Sequence, residues 1–212
     1  MAEEVKRILK QTPLYTLYST YRAKKAYSEW LKKDASSPPP HIAKQKTIRE
    51  YARRYGLSVL VETGTYLGAM VEAMKRDFEE IISIELSEDL YHRAKVRFDP
   101  YRHITILQGD SGKVLKNLLP TLQHPCLFWL DGHYSEGFTA KGDLETPIME
   151  ELTHISNHSL ARQHVILVDD ARCFTDSNDY PALEQVKIFV SGKGYDIFEV
   201  KHDIIRIRAT QV

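Results

Sequence analysis

From Leu57 onward the chain alternates short apolar runs with longer amphipathic stretches. The runs Ser58–Val61, Glu80–Ile84, Ile104–Gln108, Cys126–Leu130 and Val165–Val168 predict strands. The stretches 67–78, 87–97, 111–119 and 143–157 predict the helices between them. Apolar strands separated by helices indicate a parallel sheet covered on both faces, an α/β doubly wound arrangement. The end of the chain departs from this pattern. A helix over about Tyr180–Ser191, closed by Gly192, leads to two strand-like segments, Tyr195–Lys201 and Ile204–Arg208. Only His202-Asp203 joins them, which permits an antiparallel hairpin and no crossover.

Before Leu57 the pattern is helical. Residues 2–34 predict one or two helices rich in Tyr, Lys and Leu, broken near Pro13. The run Asp34-Ala35-Ser36-Ser37-Pro38-Pro39-Pro40 cannot continue a helix, because consecutive prolines favour extended backbone. Residues 41–55 resume one, with Ile48, Tyr51, Ala52 and Tyr55 at i, i+3, i+4 and i+7 as its inward stripe and Gly56 placed to stop it. The expected organisation is an N-terminal helical extension with a proline-rich linker over 1–40 and one domain over 41–212.

Composition adds exclusions. With 42% hydrophobic and 27% charged residues the chain reads as an ordinary globular protein, and no apolar run reaches the roughly 20 residues of a membrane span. The N-terminus lacks the apolar region of a secretory signal, and the two cysteines, Cys126 and Cys173, form no CxxC or Cys/His cluster. A cytoplasmic location is the expectation. Net charge is zero but uneven. Residues 1–54 hold 13 Lys/Arg against 5 Asp/Glu, a net of +8; residues 55–212 hold 16 against 24, a net of −8. No nucleic-acid motif accompanies the basic part, so nucleic acid is not an expected partner, and a homodimer contact through the N-terminal helices is.

Ligands of open α/β sheets bind beyond the carboxyl ends of the strands, beside the first one. The turn there is Glu62-Thr63-Gly64-Thr65-Tyr66-Leu67-Gly68. Gly64 lets the backbone turn sharply, and Gly68 allows tight helix–strand packing. Thr65, Tyr66 and Leu67 fill the interval in which a dinucleotide fingerprint needs another glycine, and Glu62 would repel a pyrophosphate. An acid there suits a cation instead. Glu85 closes the second strand, followed by Leu86, and is placed to accept both hydroxyls of a ribose, while Ser87 offers a cap for the next helix. Asp110 and Ser111 follow the third strand, where either can bond an exocyclic amine or Asp110 can simply cap a helix.

Residues 57–208 resemble a class I S-adenosylmethionine-dependent methyltransferase, a Rossmann-like fold. Glu62-x-Gly64-x-x-x-Gly68 resembles its first motif, Glu85 its ribose-binding acid and Asp110 its adenine-contacting position. Within that superfamily, Leu130-Asp131-Gly132-His133-Tyr134, Thr139-Ala140-Lys141-Gly142 and Thr146-Pro147-Ile148 are similar to the macrocin O-methyltransferase group of bacterial small-molecule and sugar O-methyltransferases. The resemblance implies S-adenosylmethionine bound by Glu62, Gly64, Thr65, Tyr66, Gly68, Glu85, Leu86, Asp110, Ser111 and Asp131. It implies methyl transfer to a hydroxylated small molecule or sugar.

Asp131 follows the fourth strand and Asp169-Asp170 the fifth, so adjacent strands bring three carboxylates to one rim. Three such charges repel unless a cation sits among them, and oxygen-only ligands suit Mg²⁺ or another divalent ion. The alternative keeps Asp131 for the cofactor's methionine part and Asp169 for capping a loop. His133 can be the general base, a metal ligand or a bystander, with Asp131 beside it in the catalytic group, and Arg172 can neutralise the acidic pair or hold an anionic acceptor. Residues 134–146 are long and polar enough for a lid hinged at Gly137 and Gly142. Two other readings are a non-catalytic S-adenosylmethionine-binding subunit and, opposed by the glycine spacing and the hairpin, an NAD(P)-dependent oxidoreductase.

Overall fold

A computed structural model describes residues 13–33, 38–132, 146–177 and 179–210. It divides into two compact units, Met1–Thr47 and Ile48–Val212. The first contains α1 (Pro13–Lys32), which opens on a proline, in the first turn where a missing N–H breaks no hydrogen bond of the helix. α2 (His41–Tyr55) begins in this unit and ends in the second, where Ile48, Tyr51 and Ala52 are buried as the expected stripe. Gly56, at φ +63°, takes the left-handed turn that stops it.

The second unit is one seven-stranded sheet with helices on both faces. Its elements are β1 (Val59–Thr63), α3 (Ala69–Met74), β2 (Glu80–Glu85), α4 (Glu88–Phe98), β3 (Ile104–Gln108), α5 (Ser111–Leu118), β4 (Cys126–Leu130), α6 (Ile148–Ser156), β5 (Val165–Val168), α7 (Leu183–Gly192), β6 (Ile197–Lys201) and β7 (Ile204–Arg208). The strand order is β3-β2-β1-β4-β5-β7-β6. The first five strands are parallel; β7 runs antiparallel to both β5 and β6. The doubly wound sheet with a terminal hairpin is thus present as expected. His202 and Asp203 both take positive φ at the hairpin tip, as a two-residue turn demands.

Strands β3, β4, β5 and β7 run between the very residues that the apolar runs mark. The first boundary differs. β1 extends to Thr63 through a buried Glu62, a charge-bearing residue that an apolar pattern excludes. The helix expected over 67–78 contracts to Ala69–Met74, because Gly68 at φ +71° precedes it and a turn follows. The central strands alternate between two cores. Val61, Phe128 and Ile166 face the side of α5, α6 and α7, while Leu60, Leu127 and Leu167 face that of α2, α3 and α4.

Register decides where chemistry can gather. Thr63 pairs with Ile84 on one side and Leu130 on the other, and Leu130 pairs with Val168. The carboxyl ends of β1, β2, β4 and β5 are therefore level. Whatever follows each strand emerges on one rim, with the crossover direction reversing beside β1.

Candidate functional site

The turn after β1 is built by backbone constraint. Gly64 sits at φ +85°, and its N–H and that of Thr65 donate to the Ile84 carbonyl at 2.9 and 3.2 Å. A Cβ on Gly64 would lie 2.4 Å from the Asp131 carbonyl oxygen. The turn therefore presses on the segment after β4 so closely that only glycine fits. Gly68 is glycine for a different neighbour than expected. Its Cβ would meet the Phe98 ring at 2.7 Å, so the tight packing is against α4 rather than a strand.

Behind the turn lies a polar chain inside the sheet. Ser83 Oγ donates to Glu62 Oε2 at 2.5 Å and stands 2.6 Å from Thr65 Oγ1. Glu62 is 2% exposed. Burial, reinforced by the charges of Asp131 and Glu85 and opposed by the Ser83 bond, pushes its carboxyl up to about 8. Burial thus favours the protonated form of Glu62 near pH 7, and a cation beside it would favour the carboxylate. Thr65 is turned into this chain, whereas Tyr66, at φ +49°, is half exposed.

Glu85 orders the turn. Its Oε2 accepts the Tyr66 N–H at 2.7 Å and its Oε1 the Ser87 N–H at 2.9 Å. A carboxylate has about four acceptor directions, so two remain for hydroxyl donors. Leu86 follows, its carbonyl accepting from Gln108 Nε2 at 3.1 Å. Asp110 caps α5 by accepting the Lys113 N–H at 3.3 Å, the simpler of its two readings. Ser111 is buried, and its hydroxyl lies 3.3 Å from where a Cβ on Gly132 would stand.

The acidic rim forms as the topology requires. The Asp131 N–H donates to the Thr63 carbonyl at 3.1 Å, and the Asp169 N–H to that of Leu130 at 3.0 Å. Asp131, Asp169 and Asp170 offer carboxylate oxygens that all lie within 4.8 Å of one another. Asp170 is held at φ +54°, its N–H donating to Asp169 Oδ1 at 2.9 Å. This three-carboxylate, all-oxygen donor set fits a hard divalent ion. Arg172 neutralises part of it, as one expectation had it, bonding Asp170 Oδ1 at 2.7 Å. Its guanidinium also bonds the Asp203 carboxylate, and its backbone N–H donates to Asp203 Oδ1 at 2.8 Å.

His133 and residues 134–145 of the expected lid over 134–146 lie outside the described residues. Two participants escaped the sequence reading. Ser83 was visible as a hydroxyl inside the apolar strand Ile81-Ile82-Ser83-Ile84. Glu151 was visible too, since Ile148, Glu151, Leu152 and Ile155 share one helical face. All four are buried, and burial pushes the Glu151 carboxyl up to about 7, with the Ser111 and Thr63 hydroxyls pulling the other way.

No family model matches the chain, and no curated protein sequence does. Solved structures do. The SAH-bound methyltransferase PaMTH1 of Podospora anserina matches with a TM-score of 0.55 at 18% identity, over 95% of this chain and 97% of that one. A putative caffeoyl-CoA O-methyltransferase from Staphylococcus aureus matches with a TM-score of 0.57 at 13% identity, over 98% and 99%. The O-methyltransferase TomG of Streptomyces achromogenes, in complex with SAM, matches with a TM-score of 0.54 at 15% identity, over 89% of each chain. With this strand order, the terminal hairpin and the turn after β1, the chain has the Rossmann-like fold of the class I S-adenosylmethionine-dependent methyltransferases.

Proposed function

We propose that the protein is an S-adenosylmethionine-dependent O-methyltransferase that uses a divalent ion to act on a hydroxylated small molecule or sugar, in the manner of the macrocin group. The observation that carries this reading is the juxtaposition of two half-sites across β1 and β4. The Gly64 turn abuts the Asp131 backbone, and Asp131 in turn belongs to the three-carboxylate rim. Among solved structures of the same fold, TomG is an O-methyltransferase in complex with SAM.

In this reading Gly64, Thr65, Tyr66 and Gly68 shape the turn around the cofactor, Glu85 takes the ribose hydroxyls, and Leu86, Asp110 and Ser111 flank the adenine. Bound S-adenosylmethionine supplies the methyl electrophile. Glu62 becomes a carboxylate beside its positive charge. Asp131, Asp169 and Asp170 would hold the ion, which would supply Lewis acidity toward an acceptor hydroxyl. His133 takes the acceptor's proton, an assignment that rests on its place in the sequence beside Asp131. Transfer needs alignment and exclusion of water, not a covalent nucleophile. In keeping with this, burial pushes the Cys126 thiol up to about 12, away from reactivity.

An acceptor screen with methyl-labelled S-adenosylmethionine, run with and without a chelator, tests the proposal. Labelled product is expected from a polyhydroxylated acceptor and is expected to vanish on chelation and return with Mg²⁺. Product formation that survives complete metal removal sinks the metal role. Absence of cofactor binding by calorimetry sinks the transferase itself.

A further inference from the structure

At the amino ends of β4 and β5, the opposite end of these strands from the acidic rim, lies a cavity of about 470 Å³. Small-molecule sites span roughly 300–1,000 Å³. Its apolar lining includes Leu119 and Leu122, on the chain leading into β4, and Leu160, ahead of β5. Its polar lining includes Lys116 from α5, and His154 and Asn157 from the end of α6. Among the described residues that line it there is no Asp or Glu.

The backbone acceptors of the two helix ends that meet here are engaged. The Leu118 carbonyl accepts the Thr121 hydroxyl at 2.7 Å, and that of Leu119 accepts the Leu122 N–H at 3.0 Å. In α6 the Thr153, His154 and Ile155 carbonyls accept the N–H groups of Asn157 and His158. The side-chain donors are not engaged. Among the described residues no carboxylate pairs with the Lys116 ammonium. Asn157 Oδ1 accepts from Lys193 Nζ at 3.0 Å, so its amide nitrogen keeps both N–H donors for another partner. His154 Nε2 is buried without a hydrogen-bond partner among the described residues, since Glu150 Oε1 at 3.6 Å is beyond bonding distance. Engaged acceptors and free donors call for a ligand that brings acceptors, and an unpaired ammonium calls for a negative one.

We propose that this cavity is a second binding site, for a small organic carboxylate. Lys116 and the Asn157 amide take its head, and Leu119, Leu122 and Leu160 cover its apolar body. Lys116 is the one lysine or arginine among the described residues of the lining, and a single charge balances a carboxylate rather than a phosphate dianion. The site stands at the far end of the strands from the Gly64 turn and the aspartates, so its occupant binds together with the cofactor rather than in its place.

Two probes that differ only in the head group provide the test: 4-phenylbutyrate and its neutral counterpart 4-phenylbutanol, with inorganic phosphate as a bare anion. Each is titrated into the isotope-labelled chain and followed by the amide signals, for the wild type and for Lys116→Gln. The carboxylate is expected to shift the signals of Lys116, Gln123, Asn157 and Ser159, and to bind about five- to tenfold more tightly than the alcohol. Lys116→Gln is expected to lose that preference while melting as the wild type does, because Lys116 is exposed. Saturating S-adenosylmethionine is expected to leave the affinity for the carboxylate unchanged. Equal binding of carboxylate and alcohol, binding of neither, shifts confined to other residues, or a preference that persists in Lys116→Gln overturns the proposal. So does phosphate binding as tight as that of the carboxylate. Displacement of 4-phenylbutyrate by S-adenosylmethionine overturns the separateness of the site.

Discussion

Ser83 donates a 2.5 Å hydrogen bond to Glu62 across the paired strands β1 and β2, in the interior of the sheet. The bond partly offsets the burial that pushes Glu62 up to about 8. A carboxyl raised in the folded state contributes stability that is fully present below its unfolded value near 4.5 and lost as pH rises through about 8. Glu62→Gln is therefore expected to melt higher than the wild type above pH 8, in the absence of ligand, with a smaller difference near pH 5. The same variant is expected to bind S-adenosylmethionine more weakly. Wild-type binding at pH 7 should release protons, seen as a dependence of the calorimetric heat on buffer ionisation enthalpy. Identical heats in all buffers would contradict an ionisation of Glu62 on binding.

Gly64→Ala is expected to cost about 2 kcal/mol or more, since it adds a Cβ 2.4 Å from a backbone oxygen at a positive φ. Thermal melting reads the stability, and calorimetry should show cofactor affinity falling with it. Gly112→Ala provides a contrast. Its added Cβ would meet the Glu150 carboxylate at 2.5 Å, the far end of a flexible side chain that can swing away. Its cost is expected to be smaller.

Asp169→Asn should separate the two half-sites. Removing one of three carboxylates is expected to weaken Mg²⁺ or Mn²⁺ binding by about 10- to 100-fold, while S-adenosylmethionine affinity stays near that of the wild type. Ion titration followed by calorimetry distinguishes this from an effect on the whole rim. Equal losses of ion and cofactor would show that the half-sites are not separable.

The amino ends of the strands carry a different acid–base device. The Cys126 N–H donates to His164 Nδ1 at 2.9 Å, and His164 Nε2 lies 2.8 Å from His158 Nδ1. Accepting at Nδ1 leaves the proton of His164 on Nε2, facing His158. Burial, reinforced by His158, lowers His164 to about 3. The unfolded chain then binds the extra proton first, so the stability this histidine contributes is present above pH 6.5 and lost as pH falls toward 3. His164→Gln is expected to flatten the decline in melting temperature between pH 6.5 and 4. An unchanged decline would assign acid sensitivity to other groups.

Much of this architecture was legible because it is repetitive. Apolar runs such as Cys126–Leu130 and Val165–Val168 are buried on both faces, and a strand buried on both faces has no polar positions to blur its limits. The rim was legible for the same reason. Once β4 and β5 pair, residues 131 and 169 must emerge side by side. What escaped was polar chemistry inside apolar elements. Glu62 lengthened β1 against its own propensity because Ser83 answered it from β2, a contact between residues 21 apart in the chain. Glu151 shares its helical face with Ile148, Leu152 and Ile155, so periodicity alone assigns the face to the core and gives no reason for the acid. Asp203 was read only as half of a turn. Its grip on Arg172 depends on where β7 lies against β5, which no local pattern specifies.

That grip gives the rim a mechanical dependence the cofactor turn lacks. β6 is the edge of the sheet, and three of its five residues are exposed, so it belongs to the least protected part of the fold. An opening confined to β6, the tip and β7 withdraws Asp203 from Arg172 and changes the charge around Asp170. The Gly64 turn, tied to β2 and β4, stays closed throughout. Hydrogen exchange should then find two opening energies at this end of the sheet, the lower at the contact between Asp203 and Arg172 beside Asp170.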